Sequence, residues 1–95
     1  MNHHEKRITW DAAKNRLNTK KHRISFEEAA TVFYDPLSLT VDDLEHFVDE
    51  QRLHIIGQSS GKRLMVVTFA ESHREIRIVS ARMPTRSERK HYEES

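Results

Sequence analysis

Ninety-five residues, 36% of them apolar and 33% charged, allow one domain with a modest core. The chain has no cysteine, which excludes a disulfide scaffold and thiolate zinc sites and fits a reducing cytoplasm. The net charge of +1 conceals segregation: seven basic residues and one acid lie from Lys6 to Arg23, eight acids and no Lys or Arg from Ile24 to Gln51, and nine basic residues and three acids from Arg52 to His91. This fits either charge balance between solvated faces or two basic segments converging on one polyanion.

In chain order, residues 1–7 read as a flexible leader to a single domain spanning 1–95. "TWDAAKNRLNTKKH" predicts a first helix, capped by Asp11, with Trp10, Ala13 and Leu17 on one face. "SFEEAATVFYDP" predicts a second. Ser25 and Glu28 have capping-box spacing, Phe26, Ala29, Ala30 and Phe33 form an apolar stripe, and Pro36 closes the segment. "LSLTVDD" reads as a short edge strand and "QRLHIIGQS" as a strand leading to the turn "SSGK". "RLMVVTFA" reads as a central strand, "ESHRE" as a turn and "IRIVSAR" as the last strand. Short connections favour an antiparallel meander. "PTRSERKHYEES" opens with a second capping box, Thr85 with Glu88, and predicts a third helix with little to bury beyond Tyr92.

Two helices cover one face of such a sheet and leave the other open. Side chains alternate along a strand, so burying Ile76 and Ile78 beneath the helices turns Arg77 to the open face. Arg63 lies beside a turn, with its parity open. No apolar run nears the roughly 20 residues that span a bilayer. No third ligand joins His46 and Glu50, so no metal site and no cofactor are expected.

The chain resembles the BrnT family of bacterial type II toxins over nearly its whole length. The resemblance rests on Trp10-Asp11, Asn18 and Lys21-His22; on "SFEEAATVFYDP"; on His46, Glu50, Arg52, Ile56-Gly57, Ser59 and Arg63; and on Arg77, Ser80 to Arg82, Glu88, Arg89 and Tyr92. It implies an α+β, RelE-like fold, with two N-terminal helices on one face of a three- to four-stranded antiparallel sheet and a helix at the C-terminus. It also implies a metal-independent endoribonuclease that inhibits growth. Its implied partners are RNA and a BrnA-like antitoxin, a dimer with a ribbon-helix-helix domain, whose complex with the toxin binds operator DNA. Three departures mark this chain. Arg23 stands where glycine usually follows Lys-His, Lys62 where glycine usually precedes the arginine, and "FAESHRE" replaces a Tyr-Thr-x-Arg tip.

Cleavage by the 2′-hydroxyl of RNA needs a base, positive charge at the phosphate and an acid for the leaving oxygen. Arg77 and Arg63 are expected at the phosphate, because the guanidinium grips it bidentately and stays charged. For each, the alternative is a solvated arginine with a packed stem. Glu50 is either the base or a partner of Arg52. His22 and His46 either shuttle protons or are structural. Arg82 either binds RNA or fixes the last helix, and Tyr92 either stacks on a base or anchors that helix. Lys21 either faces phosphate or is simply solvated, and Arg89, with His46, is assigned to RNA contact. The competing reading is a module that uses the same basic face to hold nucleic acid or antitoxin without turnover.

Overall fold

The first element is a strand rather than a helix. In the computed structural model, which describes residues 6–42 and 51–95, β1 (Arg7–Trp10) precedes helix α1 (Ala12–His22). Short α2 (Phe26–Ala30) passes into a 3-10 turn (Thr31–Tyr34). Strands β2 (Leu39–Asp42), β3 (Arg52–Gln58), β4 (Leu64–Glu71) and β5 (Glu75–Arg82) follow, and α3 (Arg86–Glu94) ends the chain. Among the described residues, no helix is long and apolar enough to cross a membrane.

Among the described residues, the sheet has five strands in the order β1-β5-β4-β3-β2. Its β2-β3-β4-β5 portion is the expected antiparallel meander, but β1 pairs with β5 in parallel, so the sheet is mixed. The reason is local. Asp11 does cap α1, accepting from the backbone N–H of Lys14 at 2.9 Å. Trp10 therefore lies before the helix, and Ile8 and Trp10 pack on the core from an extended strand. Arg7, expected in a flexible leader, opens that strand. Lys6 holds Glu71 and the Ser72 carbonyl at 2.8 Å each.

The helix layer sets Ile24, Phe26, Ala29, Val32 and Phe33 against Ile55, Met65, Val67, Phe69, Ile76, Ile78 and Ala81 of the sheet. Each of the larger side chains contributes roughly 1.5–3 kcal/mol by leaving water. Trp10 meets Phe26, and Phe33 meets Phe69, edge to face at 6.3 and 5.0 Å. Gly57 admits this layer: a Cβ there would stand 2.8 Å from Val32 Cγ1.

Helix α1 contradicts the expected apolar face. Leu17 is 68% exposed, and the buried residue is Asn18. Past the end of β1, the backbone of Ala81 faces α1, and Asn18 takes the place of a neighbouring strand there. Its Nδ2 donates to the carbonyls of Ala81 and Ile24, each at 2.9 Å, and its Oδ1 accepts from the Ala81 N–H at 3.1 Å. At the helix end, Arg23 adopts the left-handed conformation (φ 60°, ψ 31°), and its N–H reaches the Thr19 carbonyl. The helix thus closes as glycine would close it, despite the substitution. Ser25 caps α2, but Glu28 turns its carboxylate to Arg63 and Ser59 rather than completing a capping box.

Candidate nucleic-acid interface

A bulge in β5 decides which arginines share a face. Phe69 pairs with Ile78 but Thr68 pairs with Ser80, so β5 carries one extra residue between them. In a regular strand, residues 77 and 82 would point to opposite sides. The extra residue resets the alternation, so that Arg77, Ser80 and Arg82 all lie on the face away from α1 and α2. Ile76, Ile78 and Ala81 meanwhile remain in the helix-covered core.

Register builds the rest of that face. Arg52, Ala70, Arg77 and Thr9 stand in one row across β3, β4, β5 and β1. Strands lie about 4.8 Å apart, so Arg52 and Arg77 stand roughly 10 Å apart at their Cα atoms, with small Ala70 between them. The next row holds His54, Thr68 and Ser80. His54 Nδ1 lies 2.8 Å from Thr68 Oγ1, which fixes the imidazole ring. Two half-buried arginines and a held imidazole therefore surround a floor of small side chains, a geometry suited to a phosphate.

Helix α3 covers one end of this face and, as expected, buries little beyond Tyr92. Tyr92 packs on Ile56, Leu64 and Val66, and its hydroxyl donates to Asp35 Oδ2 at 2.7 Å. Desolvation, with the Asp35 carboxylate second, pushes the phenol up to about 12. Asp35 is held below the usual carboxylate range: hydrogen bonds from the Gln58 N–H, Tyr92 and the Leu37 N–H outweigh its burial. At the other end of α3, Arg82 grips Glu88 with two parallel bonds, Nη1 to Oε1 at 2.8 Å and Nη2 to Oε2 at 2.9 Å. Glu88 also accepts from the Thr85 N–H, completing the predicted capping box. Arg82 is the main cause that lowers Glu88 to about 2. Of the two alternatives for Arg82 and for Tyr92, the contacts present are those that fix the last helix. Arg89 lies on α3 and is exposed.

Arg63 is not brought to Arg77. It turns to the helix layer, where its Nε donates to Glu28 Oε2 at 3.0 Å and its Nη2 bonds both Glu28 Oε1 and the Arg23 carbonyl. His22 and Lys21 close α1 in the same layer. His46 and Glu50 lie outside the described residues. Sequence reasoning overlooked His54 and considered Arg52 merely as a partner for Glu50. The adjacent apolar residues Ile55 and Ile56 hid the alternation of β3, because each belongs to a different core cluster.

The family described as "Ribonuclease toxin, BrnT, of type II toxin-antitoxin system" matches residues 10–88. Among solved structures, the 1.1 Å crystal structure of the Brucella abortus ribonuclease toxin, BrnT, superimposes with a TM-score of 0.64. The two share 20% sequence identity over 85% of this chain and 99% of that one, a likeness of fold. No curated protein matches the sequence.

Proposed function

From the premise that this chain belongs to the BrnT family, the ribonuclease toxins of type II toxin–antitoxin systems, we propose that it cleaves RNA on the Arg77 face of its sheet by a RelE-like, metal-independent route. The 2′-hydroxyl loses its proton and attacks the adjacent phosphorus. The 5′ oxygen leaves and takes up a proton, giving a 2′,3′-cyclic phosphate and a free 5′-hydroxyl. The observation that carries this reading is the row Arg52–Ala70–Arg77, with His54 held beside it by Thr68. Arg77 and Arg52 hold the phosphate and stabilise the charge that develops on it. Glu50, two residues before β3, takes the 2′ proton, and His54 supplies the proton of the leaving oxygen.

Arg63, committed to Glu28, positions the β3–β4 hairpin rather than contacting phosphate. Arg82 and Tyr92 hold α3 at the end of the face, and Arg89 and His46 contact RNA. Lys21 and His22 lie in the helix layer and act outside the reacting centre. Type II membership makes an antitoxin the partner. We assign it a BrnA-like, dimeric ribbon-helix-helix protein whose complex with the toxin binds its own operator in the cytoplasm.

The test is purified Arg77→Ala protein incubated with RNA. Cleavage should fall by about 10²-fold or more, as for loss of one transition-state donor, with the fold and antitoxin binding kept. Cleavage at the wild-type rate by that variant sinks the assignment. Expression with and without the antitoxin should show growth arrest and RNA loss without it. If growth and RNA remain normal without the antitoxin, the toxin reading fails.

A further inference from the structure

Among the described residues, two that are not glycine carry left-handed backbones: Arg23 (φ 60°), at the end of α1, and Lys62 (φ 65°), in the turn between β3 and β4. Each costs roughly 1–2 kcal/mol relative to an ordinary conformation, and glycine would remove that cost. Both are basic and exposed. Arg63 draws their segments together, since Lys62 precedes it and its Nη2 donates to the Arg23 carbonyl at 3.0 Å. Arg63 itself is neutralised by Glu28. Arg16, Lys20 and Arg23, spaced i, i+4 and i+7, line a groove beside α2 together with Asn15, Thr19 and Glu27. The groove's carboxylate, Glu27, accepts from Asn15 at 2.9 Å. Basic residues in the last turn of a helix ordinarily complement its dipole for 0.3–1 kcal/mol. That benefit is already supplied by Lys20, Lys21 and His22, and it does not account for cations held at strained positions. Strain that persists where a neutral residue would relieve it points to function.

We propose that Arg16, Lys20, Arg23 and Lys62 form a second RNA-binding surface, which holds the sugar-phosphate backbone of the substrate away from the Arg77 face. The proposal rests on the reading of the chain as an RNA-cutting toxin and extends the substrate's footprint around the molecule. The occupant is RNA because its regularly spaced phosphates match a stripe rising 1.5 Å per residue, roughly 10 Å from Arg16 to Arg23. The molecule measures 31 × 29 × 27 Å, so a strand of about 20 nucleotides reaches both surfaces and one of about 4 occupies the sheet face alone.

The experiment uses the full chain and RNA made uncleavable by 2′-O-methylation. In the double variant Arg23→Gly, Lys62→Gly, the melting temperature should rise while affinity for the longer strand falls. The fall should be about fourfold per lost cation near 0.15 M salt, and the slope of log affinity against log salt should flatten by about 0.7 per cation. The short strand should bind as to wild type. The two readouts move in opposite directions, which a merely structural role does not produce. An unchanged salt slope, a loss of stability, or equal weakening towards a poly-glutamate peptide overturns the proposal, the last by making the surface one for acidic protein. Failure of the wild-type protein to cleave RNA refutes the toxin mechanism instead. Intact cleavage with an unchanged slope refutes this surface alone.

Discussion

Replacing Asn18 by alanine should cost the protein about 3–4 kcal/mol. The side chain is 8% exposed, and Ala81 and Ile24 are fully buried. Truncation removes three hydrogen bonds and leaves the N–H and carbonyl of Ala81 without a partner on that side. The Ile24 carbonyl keeps a weak bond from Thr19 at 3.4 Å. A buried polar group left unpaired costs about 1–3 kcal/mol, and the better helix propensity of alanine returns about 0.5. A domain of this size has roughly 5–10 kcal/mol in total. The thermal midpoint should therefore fall by about 15 °C or more, and the urea midpoint by about 2 M. Asn18→Asp sharpens the test. It keeps the acceptor for Ala81 but turns a carboxylate on two carbonyls, so at neutral pH it should be worse than alanine. Its folded-state pKa is raised, so its stability should recover as the pH falls through that value. An alanine variant within 1 kcal/mol of wild type, or an aspartate variant no worse than alanine at neutral pH, refutes the strand-mimic reasoning.

Other perturbations follow from the same contacts. Glu88 is lowered to about 2, so its contribution is fully present above the unfolded carboxylate value and is lost as the pH falls from about 4.5 to 2. After solvent screening that amounts to about 1–2 kcal/mol, and Glu88→Gln should flatten the acid limb of a stability profile. An unaltered limb would show that the Arg82 pair contributes nothing. Gly57→Ala should cost about 1–3 kcal/mol by driving a methyl group into Val32, whereas a midpoint equal to wild type means that the layer yields freely. Tyr92→Phe keeps the packing on Val66 but loses the bond to Asp35. It should cost about 1 kcal/mol in chemical denaturation, against no change if the hydroxyl is idle.

Much of the fold was legible because it is local. The Thr85–Glu88 capping box, the Phe26–Ala29–Phe33 stripe and the three long strands each carry their signal within a few residues. The face of Arg77 followed from Ile76 and Ile78 by alternation alone. What was not legible depends on distant partners. β1 is four residues that gain their meaning by pairing with β5, and beside Asp11 they read as part of a helix. The β5 bulge leaves no mark in "IRIVSAR", yet it puts Arg82 on the face of Arg77. Arg63 was expected at a phosphate because its partner, Glu28, lies 35 residues earlier and was already assigned to a cap. Asn18 was visible as part of a family pattern, but its role depends on Ala81, 63 residues away.

The parallel pairing of β1 with β5 also governs when the sheet can form. Arg7 meets Glu75, 68 positions further along the chain, and Trp10 meets Ile78. Contacts of such separation form late, after the loop they close has lost its entropy. A chain emerging from the ribosome holds β1 exposed until β5 has been made, and β5 carries Arg77 itself. The sheet that carries the arginines is thus not assembled until β5 has been made. A chain cut short before β5 is without it.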